Sequence, residues 1–266
     1  LNQGKEAVLA WEERWSRPAA AAALGGILLI VVAIVVATQA VGSTDGDSEL
    51  LRTVNEHRSA QLISSILQGI GVALLAAPLY YLFRAANARS ETMRGQLVGV
   101  VVAAPLFLGV LAILSGVSTL SAAADFVDNE VPRLMADGVA LGSERANDVA
   151  GDTIADAPLR PLAAGFGLGG QIGFLVAMFY TSLHAMRAGL LTRFWGSLGM
   201  ALGAVSFLFF QFALLWFIYI GLLFAGWVPG GKPPAWQSGE AEPWPTPGEE
   251  ASTDLDDEED EARPRD

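Results

Sequence analysis

Five stretches of this chain contain no Asp, Glu, Lys, Arg or His: residues 19–41, 60–83, 97–120, 163–183 and 197–226, each 21 to 30 residues long. A helix rising 1.5 Å per residue needs about 20 apolar residues to cross a hydrocarbon layer of ~30 Å, whereas apolar stretches of about 10–14 residues suit a soluble core. The period-two alternation of a membrane β-barrel strand is absent. These runs therefore predict an all-α, polytopic helical membrane protein with about five transmembrane helices. The implied divisions are an N-terminal cytoplasmic segment at 1–18, a transmembrane domain at 19–228 with an acidic outer loop at 121–162, and a disordered Pro/Gly/acidic tail at 229–266. Such a tail has too little apolar surface to offset its chain entropy.

Composition closes off several alternatives. Hydrophobic residues make up 52% of the chain and charged residues only 17%, against about a quarter charged in soluble domains. Cysteine is absent, which excludes disulfides, thiolate metal sites and cysteine nucleophiles. Only His57 and His184 could supply imidazole, and a net charge of −12 opposes nucleic-acid binding. Proton relays and pumps place ionisable groups within the bilayer, and the five runs have none. The residues point to no catalytic, cofactor-binding or metal site.

The first run follows Arg14 and Arg17 and ends near Thr38-Gln39-Ala40, which resembles a signal-peptide cleavage site. Its 23 residues exceed the ~7–15 of a signal h-region, so an uncleaved anchor is expected. The fifth run is long for one crossing. A tilted helix with Trp195 and Trp227 anchored at opposite surfaces would accommodate it. Five crossings divide the connecting segments into two sets. One (1–18, 84–96, 184–196) holds eight Lys/Arg in 44 positions, and the other holds eight in 100. Basic density marks the first set as cytoplasmic, which places the N-terminus inside and the C-terminal tail outside.

Several patterns invite chemical readings. Asp148, Asp152 and Asp156 would share a helix face, either binding cations or simply facing water. Asp45, Asp47, Glu49 and Glu56 occupy four calcium-loop positions, but Leu50 stands where the turn needs Gly. Gly165-Phe166-Gly167-Leu168-Gly169-Gly170 fits G-x-G-x-x-G without the strand, helix and downstream acid of a dinucleotide site. The spacing Gly165, Gly169, Gly173 instead suggests close helix packing, within the chain or as a homo-oligomer or partner-helix face, and Gly199 and Gly203 repeat the device. Gln68, Gln171 and Gln211 are expected to hydrogen-bond across helices, each bond contributing roughly 0.6–2 kcal/mol. Pro78 and Pro105 are expected to kink their helices, and His184 to snorkel to the membrane edge.

The segment Leu183-His184-Ala185-Met186-Arg187-Ala188-Gly189-Leu190-Leu191-Thr192-Arg193-Phe194-Trp195-Gly196-Ser197-Leu198-Gly199, with Leu79-Tyr80-Tyr81-Leu82-Phe83-Arg84-Ala85-Ala86, resembles the R-x-G-L-[LI]-x-R-[WF]-x-x-x-G connector of small polytopic bacterial membrane proteins of unknown function, common in actinobacteria. The resemblance covers about a third of the chain. It implies a helical domain in a bacterial inner (plasma) membrane, no cofactor and no catalytic residue to transfer. Three function classes follow. The foremost is a non-enzymatic structural or partner-binding membrane protein, surrounded by the lipid bilayer and free of nucleic acid. The second is a small-solute transporter or channel subunit, and the third a membrane-embedded enzyme.

Overall fold

The computed structural model describes residues 2–244, with side chains from residue 5 onward. Every regular element among them is helical: α1 Asn2–Val41, α2 Asp47–Glu56, α3 Arg58–Leu74, α4 Ala76–Asn87, α5 Val98–Asp125, α6 Val131–Ala136, α7 Glu144–Ala155, α8 Arg160–Arg187, α9 Arg193–Val205, α10 Phe210–Ala225 and α11 Ala235–Ser238, with a π-helical turn at Phe126–Glu130. Four helical stretches are long and apolar enough to cross a membrane: Lys5–Val41, Arg58–Asn87, Gly95–Ala136 and Arg160–Arg187. The all-α polytopic architecture is thus realised. The 1–18 segment is not separate from it, because α1 runs unbroken from Asn2 through Pro18.

The second crossing breaks between α3 and α4. Pro78 has no N–H to offer the Leu74 carbonyl, and the chain tightens so that Leu75 N bonds Val72 O at 3.1 Å. Pro105 does not interrupt α5.

Glycines set the helix crossings, though mostly not those expected. A Cβ on Gly26 would lie 2.6 Å from the Gly71 carbonyl oxygen, and one on Gly71 equally close to that of Gly26. Gly69 and Gly109 face each other in the same way at 2.7 and 2.6 Å. Backbones therefore touch where α1 crosses α3 and where α3 crosses α5. On α8, a Cβ at Gly165 would meet nothing within 4 Å, and one at Gly169 only the Phe107 ring edge at 3.9 Å. The seam against α5 instead runs through Gly167 and Gly170, which meet Leu111 and Leu108, and of the expected strip Gly173 comes closest, a Cβ there lying 3.0 Å from Ala104. Residues exactly four apart advance about 40° beyond a full turn per step, so a strict four-residue strip drifts off the contact line.

The fifth apolar run is not a single crossing. It folds back at residues 206–209, and α9 and α10 lie antiparallel: Trp195 stacks on Tyr219 with ring centroids 3.6 Å apart, and Trp216 Nε1 donates to Trp195 O at 3.0 Å. With 13 and 16 residues, the two helices extend about 20 and 24 Å, short of the ~30 Å hydrocarbon layer. Gly196, Gly199 and Gly203 seat α9 on Met186, Ser182 and Met178 of α8, leaving no room for a Cβ. Gly199 and Gly203 thus do mark a packing face. Trp195 and Trp227 belong to the same end of the bundle, not to opposite surfaces.

The two ends differ in construction. At one, α2, the π-turn, α6 and α7 form a helical cap around Leu51, Val54, Phe126, Leu134, Ala146 and Ala150, held by Ser48 Oγ on Leu141 O and Asn147 Oδ1 at 2.6 Å each. The expected loop at 121–162 is therefore largely folded. At the other end, residues 229–244 of the expected disordered tail pack against the bundle; residues 245–266 lie outside the described residues. Trp236 and Trp244 donate their indole N–H groups to Leu190 O and Leu191 O at 2.9 Å. This strap meets the N-terminal part of α1, so the chain up to residue 244 ends where it began and not on the far side. An even number of long apolar helices plus a hairpin is the physical reason.

Candidate functional site

Because the α9–α10 hairpin turns back part-way, it leaves space beyond its tip. There a cleft of about 350 Å³ opens between α3, α5, α8 and the turn. Gln61, Ser65, Gln68 and Val72 recur three and four residues apart on α3, so one helix face supplies three polar groups. Ser115 and Thr119 do the same on α5, Gln171 enters from α8, and Ser206 and Phe210 come from the turn.

The hydroxyls bond to nearby carbonyls of their own helices: Ser65 Oγ donates to Gln61 O at 2.9 Å, Thr119 Oγ1 to Ser115 O at 2.9 Å and Ser206 Oγ to Gly203 O at 2.7 Å. Each oxygen keeps lone pairs for a further donor. The carboxamides of Gln68 and Gln171 form no hydrogen bond with the described residues, and each offers two donors and an acceptor. Water or a polar solute would satisfy them. No ionisable side chain lines the cleft, which suits a neutral ligand. The expected Gln68–Gln171–Gln211 network is not formed among the described residues: two of the three line the cleft, while Gln211 is exposed on the outside of α10.

A second polar assembly lies under the strap. Glu12 and Arg89 form a bidentate ion pair with side chains 4% and 0% exposed. Arg89 also reaches Ala235 O at 2.9 Å and Ala85 O at 3.0 Å, so its donors tie α1, α4 and the strap together. Tyr81 hydroxyl donates to Glu12 O at 3.0 Å, and its ring stacks on Trp236. Lys232 Nζ donates to Ser16 Oγ at 2.9 Å, and Ser16 Oγ to Phe224 O at 2.6 Å. Burial lowers the Lys232 amine below its usual range, opposed by the nearby Glu12 charge. With its hydroxyl committed to a carbonyl, Ser16 is a structural link and not an activated nucleophile.

The remaining candidates separate. Asp148, Asp152 and Asp156 are exposed along α7 and its C-terminal end. Asp47, Glu49 and Glu56 belong to α2 itself, a helix that cannot wrap an ion. No cluster of His, Asp or Glu suited to a metal exists among the described residues. His184 does not snorkel: it is 5% exposed, with its ring 4.4 Å from that of Tyr180. Gln61 was not singled out by the sequence because it lies at the very start of its run. Its 61–65–68 spacing with Ser65 and Gln68 was the available signal. The Glu12–Arg89 pair had none, since 77 residues separate its members.

Fold and cleft together define a class: a polytopic all-α membrane architecture with a folded-back helical hairpin and a polar cleft beyond its tip. No protein-family model, curated protein or solved structure matches the chain.

Proposed function

We propose that this chain is a multi-pass protein of a bacterial inner membrane that binds a small, neutral, polar solute in the cleft between α3, α5 and α8, as a transporter or channel component would. The supporting observation is the pair of unpartnered carboxamides, Gln68 and Gln171, facing a cavity at membrane depth. Unpaired amides facing lipid would carry an uncompensated desolvation cost. The end of the bundle bearing both described termini faces the cytoplasm in this reading. It carries nine Lys/Arg and six Asp/Glu within residues 2–244, against five and twelve at the capped end.

The native chain has no cysteine, so single cysteines report cleanly on solvent access. Gln68→Cys and Gln171→Cys in proteoliposomes are expected to react with a hydrophilic, membrane-impermeant methanethiosulfonate added at the capped end, while Ile172→Cys on the outer face of α8 stays unmodified. Silence at both glutamine positions would leave the cleft dry and remove the solute reading.

A structural, partner-binding role is the second reading, favoured by one observation. Gly165 and Gly169 are open toward the exterior of the bundle, which leaves that face of α8 available to a partner helix or a second copy.

A further inference from the structure

At the end carrying the termini, α1 and α4 diverge around a groove of about 310 Å³ lined by Trp11, Trp15, Pro18, Ala77, Tyr80 and Arg84. Between its aromatic walls the lining is small and apolar, because Pro18, Ala19 and Ala77 put little side chain into it. Its rim is aromatic and cationic. The Arg84 guanidinium sits 4.2 Å from the Trp11 ring centroid and donates to Tyr80 hydroxyl at 3.2 Å. Arg14 lies 5.9 Å from the Trp15 ring centroid, and Trp15 is itself 46% exposed. Neither arginine forms an ion pair among the described residues.

Arg84, a guanidinium without a carboxylate partner held over an aromatic face on the lining of a narrow apolar channel, complements a molecule with an anionic head and a hydrocarbon tail. Arg matches phosphate oxygens in a planar, bidentate geometry. Trp and Tyr occupy the level where headgroup meets acyl chain. We infer that the α1–α4 groove binds one anionic phospholipid, with its phosphate on Arg84 and one acyl chain along Pro18 and Ala77. The site is remote from the polar cleft. It rests on the membrane reading but not on the solute reading.

The full chain in detergent, titrated with phosphatidylglycerol or phosphatidylcholine and examined by native mass spectrometry, tests this. Both headgroups carry a phosphate, but only phosphatidylcholine adds a quaternary ammonium that an arginine repels, so phosphatidylglycerol is expected to be retained about tenfold more strongly. Arg84→Gln should reduce that preference severalfold. Ala77→Phe, which fills the channel without changing charge, should reduce retention of both lipids and decides the matter if Arg84→Gln does not fold. Arg160→Gln, at the far end of α8, should leave binding unchanged. Equal retention of the two lipids, or phosphatidylglycerol retention unaffected by Ala77→Phe, would overturn the inference. So would displacement of the lipid by millimolar inorganic phosphate, which would make the site a free-anion site. A dimer appearing in place of the lipid adduct would assign the groove to a second copy.

Discussion

Glu12 and Arg89 are charged residues with almost no access to solvent, a state that only mutual pairing and further hydrogen bonds can support. Arg89 distributes its donors over the Glu12 carboxylate and the carbonyls of Ala85 and Ala235, so one guanidinium joins three segments. Arg89→Ala would strand a buried carboxylate. It is expected to cost about 3–5 kcal/mol, read as a lowered thermal midpoint in detergent, and to expose residues 229–244 to limited proteolysis. The double variant Glu12→Gln with Arg89→Met should recover much of the loss, since it removes both charges together. If the single variant unfolds no earlier than the native chain, the pair does not hold the strap.

At the level of helices, packing depends on which glycines meet a neighbouring backbone. Gly71 faces the Gly26 carbonyl, whereas Gly169 faces open space with only a ring edge nearby. Gly71→Leu is accordingly expected to destabilise by about 3 kcal/mol or more through overpacking, while Gly169→Leu should stay within about 0.5 kcal/mol in the monomer. Detergent melting curves of the two variants provide the comparison, and equal losses would contradict the assigned α8 seam. The same contrast shows how far such patterns are readable. Glycine spacing announces that close packing occurs on a helix such as α8 or α9, but not which side of the helix it uses. On α9, Gly199 and Gly203 happen to lie on the contact line. On α8 the contact line passes through Gly167 and Gly170 instead.

For the molecule as a whole, four long apolar helices and a folded-back hairpin place the strap beside the start of α1. The two ends also differ in charge, with the cap rich in acids and the strap end rich in arginines. Single cysteines at Ser90 and Ser238 are therefore expected to be labelled from the same side of sealed vesicles, and one at Ser143 from the other. Labelling of Ser238→Cys with Ser143→Cys would restore a fifth crossing and dissolve the hairpin.

Long uncharged runs sufficed to establish a helical, polytopic membrane architecture, because hydropathy is a local and additive property of consecutive residues. Gln68 and Gln171 stood out as polar residues inside apolar runs for the same reason. Tertiary structure alone decided that residues 197–226 turn back, that the Pro- and Gly-rich segment after Trp227 docks, and that Gln68 and Gln171 meet a cavity instead of each other. Each of those outcomes depends on contacts between residues far apart in the chain: Gly221 with Leu24, Trp236 with Leu190, Arg89 with Glu12. No window of sequence contains both members of such a pair, and their free energy appears only once the helices have been brought together.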